Sequence, residues 1–341
     1  MTRQQNLALG LAAGVAATLA GRWVARRRHA VDFRGRNVLI TGGSRGLGLV
    51  LARQLGAEGA RLCLLARDEA ELARAHAQLE AAGVHDVMTM RCDIRRRAEV
   101  HATIDKLLET WAGVDVLINN AGVIQVGPLE HMKQEDFENA MATHFWGPLH
   151  LIQACVPAMR RRGFGRILNI SSIGGRIAVP HLAPYSASKF ALSGLSDALR
   201  AELNQYGIRV TTVYPGLMRT GSPRNAQMKG RHEAEYAWFA IADAAPGLST
   251  SAERAAEQIV DACRHGDPEL IITRPARMAI LASTLAPSGF AAAMMAAARV
   301  LPGPNGLDGD RAKKGYESES KWAPSVATTL GDRAALNNNE L

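Results

Sequence analysis

The segment Arg36-Asn37-Val38-Leu39-Ile40-Thr41 is short, apolar and β-prone. It runs directly into Gly42-Gly43-Ser44-Arg45-Gly46-Leu47-Gly48 and then into a helical pattern over residues 49–58. A strand that turns through glycines into a helix gathers backbone N–H groups and the positive end of a helix at one point, the arrangement that cradles a diphosphate. Glycine serves there because a tight turn and close backbone approach leave no room for a side chain. Such a turn needs a parallel sheet behind it, and further apolar segments at 61–66, 86–92, 115–119, 165–172, 207–214 and 269–273 alternate with helical patterns. The alternation predicts an α/β fold: a Rossmann-like, doubly wound, parallel seven-stranded sheet with helices on both faces.

Polar groups recur where such a sheet would present them. Tyr185 and Lys189 lie four apart at the start of a helical pattern over 185–205 and so share one face. A free phenol titrates near ~10; a neighbouring ammonium favours the phenolate, and the pair can pass a proton at working pH. The strand at 165–172 ends in hydroxyls, and Ser172 is spaced to hold a carbonyl oxygen while Tyr185 protonates it. The second strand ends at Ala66-Arg67 instead of at the acid that reads a ribose 2′-hydroxyl. Asp68 and Glu71 read as a helix-capping box, which leaves Arg45 and Arg67 to meet a 2′-phosphate. Asp93 closes the third strand, where it either accepts from an adenine amino group or caps the next helix. Asn119-Asn120-Ala121-Gly122 continues the fourth strand as a ligand crevice or a turn held by Asn side chains. The sixth strand runs into Pro215-Gly216-Leu217-Met218-Arg219-Thr220, a loop suited to fold over a cofactor. A competing motif occupies the first turn: Gly42-x-Ser44-x-Gly46 satisfies the nucleophile elbow of α/β-hydrolases, although no placed acid–histidine pair follows it.

The two ends differ from the body. Residues 1–36 hold seven arginines against one aspartate, a net of +6 out of the chain's +8. The remainder is nearly balanced, which argues against nucleic acid as a partner. The arginines flank an uncharged apolar run over 7–21. Extended to Ala25 with Arg22 snorkelling, this run makes a helix of roughly 28 Å, near the ~30 Å hydrocarbon core. The expectation is a single N-terminal membrane anchor through residues 7–25 with the body on the cytoplasmic side; a cleaved signal peptide is the rival. Cys63, Cys92, Cys155 and Cys263 have no metal-type spacing, which predicts no metal site and buried thiols in a reducing compartment. The chain thus divides into an anchor with basic flank (1–30), an α/β domain (31–274), an apolar extension of two short helices broken at Pro287-Ser288-Gly289 (275–302), and a polar tail that is loose or draped on the surface (303–341).

With these motifs in order, the chain resembles the short-chain dehydrogenase/reductase family over roughly residues 32–274, in its single-domain, NADP-preferring branch. The resemblance rests on Thr41 to Gly48, Asp93, Asn119 to Gly122, Ser172, Tyr185-x-x-x-Lys189 and Pro215-Gly216 with Thr220. It implies an NADP(H)-dependent oxidoreductase passing hydride between nicotinamide and a carbonyl or alcohol carbon. Tyr185 would be the general acid or base, Lys189 would lower its pKa and hold the nicotinamide ribose, and Ser172 would position the carbonyl oxygen. Thr41, Gly42, Ser44, Gly46, Leu47 and Gly48 would line the pyrophosphate turn, and Arg45 and Arg67 the 2′-phosphate. Asp93 would meet the adenine, Asn119, Ala121 and Gly122 the adenosine side, and Pro215, Gly216 and Thr220 the nicotinamide side. The family often forms homodimers through the helices around 134–162 and 184–206.

One position departs from the family pattern. An Asn that supports a water-linked proton relay to the lysine is replaced by His144, within Thr143-His144-Phe145-Trp146-Gly147. Imidazole both donates and accepts, so a relay-competent His144 is the expectation and His144→Asn is expected to retain or raise turnover. The residues at 225–248 read as an irregular lid. Met228, Trp238 and Phe239 together with the apolar extension favour a hydrophobic substrate: a long-chain 3-oxo compound, a sterol-like ketone or a retinoid-like aldehyde, in the reducing direction. The alternatives are a catalytically weak NADP-binding regulatory protein and, last, the hydrolase.

Overall fold

The computed structural model describes Gly21, residues 26–304 and residues 307–341. One parallel sheet contains β1 (Asn37–Thr41), β2 (Arg61–Ala66), β3 (Val87–Arg91), β4 (Val116–Asn119), β5 (Gly165–Ile170), β6 (Ile208–Tyr214) and β7 (Glu269–Ile271), in the spatial order β7-β6-β5-β4-β1-β2-β3. The strand order reverses between β1 and β4, so a crevice opens at their carboxyl ends. The helices are α1 (Gly46–Ala57), α2 (Glu69–Ala81), α3 (Arg97–Thr110), α4 (Gln134–Met141), α5 (Gly147–Arg162), α6 (Ala183–Leu203), α7 (His232–Ala244), α8 (Ala252–His265), α9 (Arg274–Leu285), α10 (Pro287–Ala298) and α11 (Thr329–Asn337).

The period-2 geometry of the strands distributes their apolar side chains between two cores. Val38, Ile40, Leu62 and Leu64 pack with α1 and α8, while the intervening Leu39, Cys63 and Leu65 pack with α3 and α5. Both faces are covered, which is why these strands are apolar throughout instead of alternating. The four cysteines are buried and free. A third cluster sits beyond the sheet's carboxyl edge and joins Val126, Leu182, Met228, Tyr236 and Phe239, with Tyr185 and Trp238 against it.

The sheet is the expected one, and the departures lie around it. The helical stretch around 134–162 is two helices joined by one π-helical turn, Ala142–Trp146. Pro148 sits in the first turn of α5, where its missing N–H is no loss. The segment 225–248, expected as irregular, contains α7. The segment 303–341, expected as loose or draped on the surface, is built onto the domain among its described residues. Lys313–Lys314 pairs antiparallel with Gln227–Met228, which pairs parallel with Gln125–Val126, and α11 packs on α7. The two apolar helices α9 and α10 form as read, with Met278, Leu281, Leu285 and Met295 exposed. The expected anchor at 7–25 lies outside the described residues, except for Gly21; among the described residues no helix is long and apolar enough to cross a membrane.

Candidate active site

The carboxyl end of β5 and the first two turns of α6 bring three polar side chains together. Ser172 follows β5 in extended backbone, its Oγ accepting from the Gly174 N–H at 3.0 Å, and its hydroxyl and the Tyr185 ring lie side by side against Gly174. Lys189, one turn further along α6, donates from Nζ to the Ile170 carbonyl at 2.8 Å and lies 5.7 Å from the centre of the Tyr185 ring. α6 is held to β5 by buried polar pairs: Ser196 accepts from Asn169 Nδ2 at 2.8 Å, and Ser193 meets Ser171 at 3.0 Å. A helix fastened by directional bonds cannot slide, which fixes Tyr185 and Lys189 relative to Ser172. Burial pushes the Tyr185 phenol above its ordinary value, with the Ser172 hydrogen bond pulling the other way. Burial also pushes the Lys189 ammonium down to about 7. Desolvation thus opposes the lowering of the Tyr185 pKa expected from the four-residue spacing.

His144 sits in the π-turn and is buried at 1% exposure. Its Nε2 accepts the Val123 N–H at 3.1 Å, which leaves the proton on Nδ1, facing Ser188 Oγ at 2.7 Å. Ser188 Oγ in turn donates to the backbone carbonyls of Pro184 or Tyr185, 2.9 Å from each. The imidazole ring stands edge-on to Tyr185, 5.5 Å between centroids. His144 thus ties the loop after β4 to α6, and neither of its nitrogens bonds Lys189. Burial, then the Lys189 charge, holds its pKa well below the ordinary 6.5. The fold refuses a proton that the unfolded chain takes near ~6.5, so stability from this residue is full above that pH and falls as pH drops below it. Urea midpoints followed from pH 7.5 to 5.5 should decline, and His144→Asn should flatten that decline; an unchanged slope would place its cause elsewhere.

At the crevice between β1 and β4, Thr41 Oγ1 accepts from the N–H groups of Asn120 and Ala121, each at 3.0 Å. Asn120, which the sequence reading did not single out, donates from Nδ2 to the carbonyls of Thr41 and Gly42, each at 3.1 Å. Asn119 points into the sheet and bonds Asn169 at 2.8 Å, leaving its Oδ1 buried without a partner. Gly122 lies against His144. Gly46, at φ +55°, opens α1, followed by buried Leu47 and Gly48. Asp68 caps α2 as expected, accepting from Glu71 N at 2.9 Å. The Glu71 carboxylate instead turns to Ser44 Oγ and Arg45 Nη1, both at 2.9 Å. Arg67 is exposed at the end of β2. Lys314, from the supposed tail, completes a trio of cations there: burial, then Arg45 and Arg67, push its ammonium down. The Asp93 carboxylate is clasped by Arg95, at 2.6 Å for the shortest contact, which holds its pKa below the usual range. It does not cap α3, whose N-cap is Arg96.

Pro215 O accepts from Ile173 N at 2.8 Å and Gly216 N donates to Ile272 O at 3.3 Å, so the nicotinamide-side loop bridges β5 and β7. Thr220 is buried, its Oγ1 accepting from Ser222 N at 3.2 Å. Over this loop lies α7. Its Glu235 carboxylate holds both His181 Nδ1 at 2.9 Å and Trp238 Nε1 at 2.6 Å, and so fastens the lid to the segment before α6. Asp243, in the last turn of α7, is buried and is pushed up to about 7 by burial. Lys314 had no signal in a lone sequence, since nothing in its spacing distinguishes it from surface charge.

The crevice fits a dinucleotide phosphate. It joins a helix N-terminus, a backbone turn without side chains and neighbouring cations, and it already draws in one carboxylate, that of Glu340, whose Oε1 stands 2.6 Å from where a Cβ on Gly46 would be. Residues 36–230 match the family described as short chain dehydrogenase. The bovine protein named dehydrogenase/reductase SDR family member 7B is 34% identical over 81% of this chain and 85% of its own length. A putative ketoacyl reductase of Streptomyces coelicolor is 39% identical over 53% of this chain and 70% of its own. Among solved structures, a variant of actinorhodin polyketide ketoreductase with NADPH is 32% identical, with a TM-score of 0.63 over 70% of this chain and 96% of that one.

Proposed function

Because this chain belongs to the short-chain dehydrogenase/reductase family, we propose that it is an NADP(H)-dependent reductase of a hydrophobic ketone or aldehyde, with Tyr185 supplying the proton. The observation that carries this reading is the Ser172–Tyr185 hydroxyl pair at the end of β5, with Lys189 behind it and an apolar cluster in front. The bound nicotinamide supplies hydride; the chain's own groups do the rest. Ser172 and Tyr185 aim two donors at one carbonyl oxygen, where negative charge develops as the carbon is reduced. Tyr185 passes its proton to that oxygen as it becomes an alkoxide. An anionic dinucleotide beside Lys189 favours the ammonium over the neutral amine, and the restored charge lowers the Tyr185 phenol. His144 holds the 120–123 loop against α6 and so acts as a positioning residue. Arg45, Arg67 and Lys314 are the groups that select a 2′-phosphate. The names of the ketoacyl reductase and of the NADPH-bound ketoreductase support both the cofactor and the direction.

Fluorescence titration of the full chain should give tighter binding of NADPH than of NADH. NADPH consumption should follow long-chain or polycyclic carbonyls. Tighter NADH would overturn the arginine reading, and turnover confined to small polar sugars would overturn the substrate class. The anchor at 7–25, with the domain on the cytoplasmic face, belongs to the same proposal: the full chain should stay with membranes in alkaline carbonate, and release would remove the anchor. A homodimer through α4, α5 and α6 is supported by Trp146 and Phe190, which are 48% and 43% exposed beside and on those helices; a monomeric mass by sedimentation would exclude it.

A further inference from the structure

The residues that follow α11 lie in the phosphate cradle. The Gly46 N–H, first of α1, donates to the Asn338 carbonyl at 2.8 Å. Asn339 Nδ2 donates to the carbonyls of Ser44 at 2.8 Å and Glu71 at 3.1 Å, and Asn339 Oδ1 accepts from Arg74 Nε at 2.8 Å. Arg53 donates to Asn337 O at 2.7 Å and Asn338 Oδ1 at 3.2 Å. The Glu340 carboxylate faces Arg45 Nε at 3.5 Å and accepts from Asn225 Nδ2 at 2.7 Å. Asn338 is 0% exposed and Glu340 8%, as deep as core residues although wholly polar.

These partners are the ones a phosphate needs: the N–H groups of a helix N-terminus, the Ser44–Arg45 turn and the Arg45 cation. A carboxylate and a phosphate cannot occupy them together. We propose that residues 337–341 are a built-in plug of the dinucleotide crevice, so that NADP(H) binds only when the segment leaves and binding in turn drives it out. This rests on the cofactor reading given above.

The plug is set to exchange. Burial pushes the Glu340 carboxyl up to about 7, with Arg45 pulling the other way, so its charge is poorly solvated where it sits. A phosphate brings more charge and more acceptor oxygens to the same donors. Release need not unravel the domain, because the chain before the plug is fastened separately. Lys313–Lys314 is paired into a sheet, Gly315 packs against Pro223 and Tyr236, and Ala335 packs on Gly221. The bond from Asn225 to Glu340 also joins the plug to the segment that leads into the lid, so departure of the plug removes that one tie on Asn225.

The test uses the full chain. Hydrogen exchange of 330–341 is measured with and without saturating NADPH, and NADPH affinity is compared between the unaltered chain and N339A/E340A. The expected result is faster exchange at 337–341 when NADPH is bound and about tenfold tighter binding by the variant, which is about 1.4 kcal/mol of lost self-competition. Should the variant misfold, exchange on the unaltered chain decides. Equal affinity with 337–341 still protected under NADPH would overturn the plug alone. Absence of NADPH binding by both folded chains would overturn the plug together with the cofactor reading.

Discussion

Tyr185→Phe is expected to lower carbonyl reduction by roughly 10²–10⁴-fold, the range of a lost general acid, while leaving NADPH affinity and thermal stability near those of the unaltered chain. The separation follows from the contacts. Ser172 Oγ keeps the Gly174 N–H as its donor, so removing the phenol oxygen leaves no buried backbone N–H without an acceptor. The ring remains in the lid cluster and edge-on to His144. What disappears is the proton that the proposed mechanism passes to the carbonyl oxygen. Ser172→Ala should be milder, since it removes a donor to that oxygen and not the proton source. Unchanged turnover in Tyr185→Phe would mean that the proton comes from elsewhere. A matching loss of NADPH affinity would make the phenol a binding group.

The sheet was legible because buried parallel strands must be apolar over their whole length, and segments such as Val38–Ile40 and Leu62–Leu65 have no other use for that pattern. The meeting of Tyr185 and Lys189 beside Ser172 was legible because a four-residue helical spacing carries its own geometry. The pKa balance between Tyr185 and Lys189 was not, since desolvation depends on what the tertiary fold stacks above them. α7 was missed although its signal was present: Glu233 and Glu235 lie in its first turn, and Tyr236, Phe239, Ala240 and Asp243 repeat at helical spacing on its buried side. The sequence reading takes the whole of 225–248 as an irregular lid instead, with Trp238 and Phe239 as its apolar contacts. His144 read as a relay group because imidazole has two working nitrogens; only the π-turn shows that both are taken by Val123 and Ser188.

The plug could not have been found in this way. Asn337-Asn338-Asn339-Glu340 has the composition of a solvated tail, and a segment that docks into a polar cradle must have the same composition. Polarity reports what a segment can bond to, and water and the N-terminus of α1 ask for the same groups.

The opposite ambiguity makes Gly48→Ala the sharpest structural prediction. Gly48 lies inside α1, where helix propensity alone favours Ala over Gly by up to ~1 kcal/mol. A Cβ there would meet Asn120 Nδ2 at 2.6 Å and the Gly42 carbonyl carbon at 2.8 Å, and press hardest on the Gly42 carbonyl oxygen. Two of these are backbone atoms, and Asn120 is pinned by its bonds to Thr41 and Gly42. Relief requires parting the glycine turn from α1, which spoils the cradle. The net result expected is destabilisation of about 1–3 kcal/mol, as for an overpacked core. NADPH affinity should fall roughly 100-fold, or about 2.7 kcal/mol. Gly194→Ala, in α6, supplies the contrast: nothing lies within 4 Å of its would-be Cβ, so propensity acts alone and the chain should gain stability, by up to ~1 kcal/mol. If Gly48→Ala behaved like Gly194→Ala, the turn would be yielding, and a yielding turn could not present the N–H groups of α1 to a phosphate.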